Sequence, residues 1–213
     1  DYIKNKPTIP STLDDLSDVV ITSPTNGQVV KYNGSYWYNG TDTTSGGTSA
    51  VPGYYGSFYD TTTQTAALVD TGYAMKYNTT VEYNEVTVDS THANTRVYVT
   101  YSGVYNIQFS AQLHNTGGGG SGKNVQIRLK KNGTTISDTN TDVSVNTNSP
   151  YVVAAWNFVL TLNAGDYFEL FWATDNIDIV IAYAAGSIDG APNIPSVILT
   201  VTQVAAILIP TDI

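Results

Sequence analysis

The sequence predicts an all-β protein, an antiparallel sandwich or barrel that follows a small β-hairpin module. Short apolar runs recur at regular spacing with turn residues between them, and helical periodicity is almost absent. Charged residues make up only 13% of the 213 residues, and Thr, Asn, Ser and Gly stand in their place. That composition suits turns and solvated strand faces better than helices. Hydrophobic residues reach 41%, which is enough for a core and excludes a disordered chain.

The composition also excludes several classes of function. The chain has no cysteine and 2 histidines, which excludes a disulfide scaffold, a thiol nucleophile and a metal site built from either residue type. With 9 Lys and Arg against 18 Asp and Glu, the net charge is −9, so nucleic acid is not an expected partner. No apolar run is long enough to cross a membrane. The sequence opens at Asp1 without a signal peptide or initiator Met, so we expect a fragment or a processed product.

Residues 1–40 predict a small N-terminal module. Residues 11–15 resemble a capping box and predict at most one helical turn. Asn33-Gly34 and Asn39-Gly40 each end a short run, and Asn-Gly is the strongest short-range hairpin signal. Two strands alone are marginal in water, so we expect Trp37 to pack against a neighbouring chain. The Thr-, Ser- and Gly-rich residues 41–51 predict a linker.

Residues 52–213 predict the head domain, an antiparallel β structure. Alternation is clear where Val125, Ile127 and Leu129 are separated by polar residues, and Asn132-Gly133 predicts the turn that follows them. Residues 167–172 are apolar on both faces, which indicates either a central strand or an interface with another chain. The predicted strands are 56–59, 74–77, 86–88, 96–101, 104–113, 125–131, 134–136, 154–162, 167–173, 177–184 and 197–204.

The aromatic content exceeds what one modest core needs. The chain has 16 Tyr, 5 Phe and 3 Trp, and an apolar tail follows the last predicted strand. Exposed apolar surface of this extent marks an interface, so we expect a homo-oligomer, and strands with two apolar faces fit a trimer of sandwiches. The predicted interface residues are Trp37, Tyr105, Phe109, Phe168, Trp172, Ile207, Leu208 and Ile209.

The first 40 residues carry a recognisable motif series. NKPTIP at 5–10 is followed by LDDLSDV at 13–19 and by GQVVKYNG at 27–34 with Trp37. This series resembles a short module of tailed-bacteriophage tail fibres and related virion appendages. The resemblance implies attachment to other virion proteins through this module.

The head carries a second series. SGVYNIQF at 102–109, LKKNG at 129–133 and LNAGDY at 162–167 resemble, in family order, the motifs of complement globular-head (tumour-necrosis-factor-like) jelly rolls. Ile107 departs from the usual aromatic residue. The stretch is similar to the jelly-roll heads of phage structural proteins, those of cyanophages in particular. The resemblance implies a jelly-roll sandwich, a compact trimer and a fibre or knob that meets the host surface.

Two motifs invite a catalytic or nucleotide-binding interpretation. Residues 117–124 (GGGGSGKN) come within one residue of a phosphate-binding loop, but Asn124 lacks the hydroxyl that ligates Mg²⁺ and a strand pattern follows. We interpret the segment as a loop between strands. His92 and His114 lie near strand ends without a nucleophile motif, so we interpret both as exposed loop residues and leave pH sensing open. We expect no cofactor.

Acidic loop residues are weak metal candidates. The resembled heads sometimes bind Ca²⁺ at the trimer apex, and Asp175, Asp178 and Asp189 lie in predicted loops near one end of the sandwich. Their spacing matches no known calcium motif, so we interpret them as turn residues.

The basic and tryptophan side chains each allow a glycan-binding alternative. Lys123, Arg128, Lys130 and Lys131 could bind anionic glycans, but a polar strand face is the simpler interpretation. Trp156 lies in an apolar strand, as Trp172 does, so we expect packing rather than sugar stacking.

The sequence thus predicts a non-enzymatic phage virion protein, a tail fibre or knob head that adheres to a host-surface glycan or protein as a homotrimer. One alternative is a purely architectural head-fibre, decoration or baseplate component without a receptor. The other is a polysaccharide depolymerase, which would need two carboxylates facing each other across a groove.

Overall fold

The structure is a computed structural model that describes residues 10–41, 53–117, 122–146, 151–186 and 188–207. The chain divides into two compact units, Asp1–Val51 and Pro52–Ile213. Of the predicted linker, only Thr41 is described, and it ends a strand. Helical structure in the described ranges is limited to two single 3₁₀ turns, Leu13–Asp15 and Ser90–His92. None of these described helical turns is long and apolar enough to cross a membrane.

The smaller unit is a three-stranded sheet of β1 (Val19–Val20), β2 (Gln28–Tyr32) and β3 (Trp37–Thr41). The predicted helical turn is confirmed at Leu13–Asp15, where the Asp15 carboxylate accepts hydrogen bonds from Ser11 and from the Thr12 N–H. These bonds, the Ser11 hydroxyl first, lower the pKa of Asp15 to about 2.

The first Asn-Gly turn is confirmed and the second is wrong. Asn33 accepts hydrogen bonds from the backbone N–H groups two and three residues on, and Gly34 takes a φ of 96°, so β2 turns antiparallel into β3. Asn39 and Gly40 instead lie inside β3. The Asn39 amide bonds both the N–H and the carbonyl of Thr22 across the unit, and these bonds keep it extended.

The larger unit consists of two β sheets. Its strands within the described residues are β4 (Tyr55–Asp60), β5 (Gln64–Thr65), β6 (Tyr73–Ala74), β7 (Thr79–Asn84), β8 (Val86–Val88), β9 (Val97–Val99), β10 (Gly103–Asn115), β11 (Lys123–Lys131), β12 (Thr134–Thr135), β13 (Thr141–Val145), β14 (Tyr151–Leu162), β15 (Tyr167–Thr174), β16 (Ile179–Ile181) and β17 (Val197–Ala206).

The strand order is that of a jelly roll, as predicted. The first sheet contains the series β4-β17-β10-β14, with β7 at one edge, β16 paired with the end of β10, and β5 paired with β16. The second contains β9-β15-β11-β13, with β8, β12 and β6 beside them. Along the chain these eight strands alternate between the two sheets except at the β11–β13 pair, which is the jelly-roll connection pattern.

The core lies between the two sheets and follows the two-residue period of the strands. In β10 the residues from Gly103 to Asn115 alternate strictly, with the odd-numbered side chains buried. The central strand of the second sheet, β15, buries Phe168, Leu170 and Trp172 against them.

Three strands of the larger unit were not predicted: the two-residue β5 and the longer β7 and β13. In β7 the four central residues are all exposed, and in β13 only one residue is fully buried, so neither sequence carries the apolar alternation of a core strand. Of the predicted strand 74–77, only Ala74 lies in a strand, β6. The backbone N–H groups of Met75 and Tyr77 donate to the carbonyls of Leu170 and Asn94, and these isolated bonds to two different segments do not continue the strand.

Candidate functional site

The outward side of β10, β14 and β17 forms a broad surface without any charged residue, which we call the uncharged face. The strands pair in register, so their outward side chains stand in rows. These residues are Asn106, Gln108, Ser110 and Gln112 of β10, Val153, Ala155, Asn157, Val159 and Thr161 of β14, and Ile198, Thr200, Thr202 and Val204 of β17.

The uncharged face combines exposed aliphatic side chains with amides and hydroxyls. Val159, Val204 and Val153 are 64%, 58% and 55% exposed, and the Asn157 amide donates to Asn106 Oδ1 at 2.9 Å. Charged residues are depleted at the centres of protein interfaces, whereas ordinary surfaces carry them freely. In a chain with a net charge of −9, a sheet face free of charge has the composition of an interface.

The edge of this sheet at β14 is also open. β14 pairs with β10 along its length, from Tyr151 opposite His114 to Leu162 opposite Gly103, and no described strand pairs with its other edge. Proteins normally protect an edge strand with charges, proline, a bulge or shortness. The 12 residues of β14 include no charge and no proline. An unprotected edge of this kind can pair or pack with another chain.

The inward side of β14 is incompletely covered at this open edge. Trp156, Phe158 and Leu160 are only half-buried, although they pack against the core. The Trp156 ring meets Phe109 edge-on, with ring centroids 4.7 Å apart. Its Nε1 is shielded from solvent and has no hydrogen-bond partner among the described residues. A buried donor without an acceptor costs about 1–3 kcal/mol, and an acceptor from a neighbouring chain would remove that cost.

Four of the predicted interface residues lie instead in the core of a single chain, so their assignment to the interface is wrong. Tyr105 and Phe168 are fully buried, Trp172 is 1% exposed and Phe109 is 5% exposed. The Tyr105 hydroxyl donates to the Tyr101 carbonyl at 2.7 Å, and burial, with nearby Tyr54, raises its pKa to about 12. Their strands are central ones, and the facing sheet covers these side chains.

The second apolar face of β15 is covered by cations of the same chain rather than by another chain. The Arg96 guanidinium lies 4.5 Å from the centroid of the Tyr167 ring. The Lys130 ammonium lies 3.7 Å from the centroid of Phe171. Long basic side chains cover aromatic rings favourably while their charges stay hydrated. This explains how both apolar faces of β15 are covered within one protomer.

The remaining predicted interface residues are exposed or undescribed. Ile207, just after β17, is 39% exposed, and Leu208 and Ile209 lie outside the described residues. Trp37 is 43% exposed in the smaller unit, and its ring lies 5.1 Å from that of Tyr32. Within the described part of that unit, Val19 is the one buried hydrophobic residue. The described part of the module therefore has almost no core of its own.

Two of the three predicted calcium candidates have separate local partners, and the third is exposed. Asp175 accepts the backbone N–H of Asn124 at 2.9 Å, and Asp178 pairs with Lys123 at 2.8 Å. Asp189 lies exposed in a turn with a φ of 46°. The described residues contain no group of three or more His, Cys, Asp or Glu that could hold a metal ion.

The basic residues do not form one patch either. Lys123, the lysine of the phosphate-loop-like segment, is buried and held by Asn115 Oδ1 at 3.1 Å as well as by Asp178. Lys131 pairs with Asp166 at 2.7 Å. Residues 118–121 of that segment lie outside the described residues. Where it is described, the segment joins β10 to β11, and its lysine Nζ already has two oxygen partners.

The two histidines have local contacts. His92 closes the 3₁₀ turn Ser90–His92 against the carboxylate of Asp89. The pKa of Asp89 falls to about 2, first because of the Thr91 hydroxyl bond and then because of His92, against the opposing effect of burial. The His114 ring stacks on Tyr151 at 4.5 Å.

Sequence reasoning missed the uncharged face, although its signal was present. The segments that form β10, β14 and β17 all lack Asp, Glu, Lys and Arg, which the sequence alone displays. Most of the predicted interface residues are large aromatic side chains, and a protein core commonly buries such side chains.

No family model matches the chain, and no curated protein matches it. Among solved structures, crystal structures of murine APRIL at pH 5.0, pH 8.5 and pH 8.0 are similar, with TM-scores of 0.47, 0.45 and 0.46. Their identities to this chain are 10%, 10% and 11%, and each match covers 71% of this chain and 98% of the APRIL chain. At this distance the likeness concerns the course of the strands alone.

Proposed function

We propose that the protein is a non-enzymatic structural and adhesive head of a bacteriophage virion appendage, a tail fibre or knob, that acts as a homotrimer. The uncharged face with the open β14 edge carries the self-association part of this proposal. The motif series of residues 1–40 and 102–167 supports the virion role, and the number three comes from that resemblance.

A trimer gives adhesion its strength by multivalency. Three identical weak sites on one rigid assembly raise the effective concentration of each site near the host surface, so that the total avidity exceeds any single affinity. The head supplies the rigid scaffold, because its core spans both sheets. The smaller unit, in which Trp37 is exposed and the described residues form almost no core, serves as the contact to other virion proteins.

The association test is a charge placed on the uncharged face. We expect Val159→Lys to lower the solution mass measured by light scattering from three chains to one, because burying an unpaired ammonium costs several kcal/mol. Leu68→Lys is the matched control, since Leu68 is also 64% exposed but lies in a loop outside the face. A wild-type mass of one chain would refute the association, and so would a trimer that tolerates Val159→Lys.

The adhesion test uses the same proteins. Wild-type trimer should bind envelope preparations of the host, and the Val159→Lys monomer should bind more weakly because avidity is lost. A trimer that binds no host envelope would favour the architectural alternative, a head-fibre, decoration or baseplate component. Release of reducing ends from host polysaccharide would instead identify a depolymerase and refute the non-enzymatic role.

A further inference from the structure

A polar groove of about 320 Å³ crosses the outer side of the second sheet, away from the uncharged face. Gln126 and Arg128 of β11 form its floor, with Asp142 of β13 paired opposite Gln126. Asp70 and Asp175 close it from the segments that flank β6 and β15. The volume lies within the range of ligand sites, roughly 300–1,000 Å³.

The walls of the groove are held in place by regular structure. The backbone N–H of Asp70 donates to the Thr174 carbonyl at 2.9 Å, and Asp175 is held by the N–H of Asn124. The Arg128 guanidinium lies 6.0 Å from the centroid of the Phe171 ring. It also lies against Gly72, where a Cβ atom would come within 2.4 Å of its Nη2. The guanidinium is therefore positioned by packing before any ligand arrives.

Four polar side chains of the groove are not used internally. The side chains of Arg128, Gln126, Asp70 and Asp142 form no hydrogen bond or ion pair with any residue that the structure describes. Carboxylates accept hydrogen bonds, the guanidinium donates them, and the Gln126 amide does both. A preformed set of free donors and acceptors in one concavity suits a ligand with many hydroxyl groups.

The charge of the groove selects among such ligands. Three carboxylates face one guanidinium, so phosphate, sulfate and uronate groups are repelled. A bare metal ion does not fit, because the described acidic residues form no group that could hold one. An apolar ligand does not fit either, since ligand sites of that kind are lined mainly by apolar side chains.

We infer that this groove binds a neutral saccharide segment of a surface glycan, with the Asp70 and Asp142 carboxylates accepting from sugar hydroxyls and Arg128 donating to them. The inference rests on the adhesive role proposed above and assigns its ligand class. It also places the binding site on the side of the sandwich opposite the uncharged face. Each protomer of an assembly would then present its own groove outward.

The experiment is a titration of the full chain with maltotriose, mannotriose and galactotriose at millimolar concentration, followed by backbone amide NMR shifts. A heparin-derived trisulfated disaccharide is the anionic probe. We expect at least one neutral trisaccharide to shift the amides of Gln126, Arg128 and Ala173. The anionic probe should leave them unchanged.

Three variants locate the site. Arg128→Ala should weaken the response about tenfold or more, the effect of losing hydrogen bonds from a charged donor. Gly72→Ala should weaken it as well, because the new Cβ displaces the flexible guanidinium while its charge remains. Lys130→Ala is the matched control: it removes a cation that contacts the same Phe171 ring from a position outside the groove.

Several outcomes would overturn the inference. These are no response to any of the three neutral trisaccharides, shifts confined to another surface, tighter binding of the sulfated probe, or equal effects of Arg128→Ala and Lys130→Ala. Solution mass measured on the same samples separates the two proposals. A trimer that binds host envelope equally well with Arg128→Ala would refute the groove and leave the adhesive function standing. A monomer whose groove binds a trisaccharide would refute the trimeric adhesive function and leave the groove standing.

Discussion

Asp166 is the residue that joins two turns of the jelly roll. Its carboxylate accepts the Asn132 amide at 2.7 Å and the Asn163 backbone N–H at 2.7 Å, and it pairs with Lys131. Burial opposes its ionisation, but these donors outweigh burial and lower the pKa of Asp166. One carboxylate thereby ties the β11–β12 turn to the β14–β15 turn.

We expect Asp166→Asn to lower the free energy of unfolding by about 2 kcal/mol at neutral pH, the size of a hydrogen-bonded charge. Because the folded pKa lies below the unfolded value of about 3.9, the contribution is complete above that pH and is lost as the pH falls through the folded pKa. Urea denaturation of both proteins at several pH values measures how this contribution to the free energy of unfolding changes with pH. The difference between wild type and variant should shrink below about pH 4.

Asp189→Asn is the control for that experiment. Asp189 is exposed at a φ of 46°, a conformation that Asn also accepts. The unfolding free energy of the Asp189→Asn variant should match that of the wild type at neutral pH. A difference for Asp166→Asn that persists unchanged into acid would contradict the electrostatic explanation.

Among the elements, the β11–β12 hairpin depends on its two-residue turn. Asn132 and Gly133 take φ values of 48° and 81°, and Lys131 pairs directly with Thr134 across them. Both residues are in the left-handed region, which the turn needs to match the twist of its strands. Gly133 therefore acts here through its backbone conformation.

Gly133→Ala should lower the free energy of unfolding by about 1–2 kcal/mol, the cost of placing a Cβ in the left-handed region. Steric crowding contributes little, because the nearest atom to that Cβ would be the Tyr167 hydroxyl at 3.4 Å. Gly53→Ala is the control, since Gly53 has open space around it and no positive φ. Thermal or urea denaturation compares them, and equal stabilities of the two variants would contradict the turn argument.

At the scale of the whole molecule, the two units differ in their cores. The larger unit buries a continuous cluster between its sheets, whereas the described part of the smaller unit buries only Val19 among its hydrophobic residues. A short sheet with so little buried surface is marginal as an independent fold. Both the stability of the protein and its uncharged face therefore reside in the larger unit.

A chain that starts at Pro52 should keep a solution mass of three chains by light scattering and the main thermal transition of the intact protein by calorimetry. The physical reason is that the uncharged face and the continuous core both lie in the retained unit. If the shortened chain were a monomer while the intact chain was a trimer, the smaller unit would be the element that holds the chains together.

Much of the fold could be predicted because its signals are local. The Asn33-Gly34 and Asn132-Gly133 turns, the long strands and the single helical turn each depend on residues close together in sequence. The turn predicted at Asn39-Gly40 was wrong because hydrogen bonds from Asn39 to Thr22, which is distant along the chain, outweighed the local turn preference of the pair. The strands β7 and β13 were missed because exposed edge positions need no apolar alternation.

The candidate sites were less predictable, because they depend on which strands become neighbours. Trp172 and Tyr105 have the residue types of an interface, yet the facing sheet buries them. The groove brings Asp70, Arg128 and Asp175 together from segments far apart in sequence, and no spacing rule links them.

The sequence by itself determined an acidic all-β chain with a small N-terminal module, its principal turns and strands, and the absence of charge in the segments of β10, β14 and β17. These properties follow from composition and from the two-residue period of a strand, both of which act locally. Only the tertiary structure decided which aromatic residues form the core, that cations cover the second face of β15, and that the uncharged strands share one surface with an open edge. Sheet pairing and stacking join residues far apart in the chain, so only the assembled fold settles which side of each strand meets solvent.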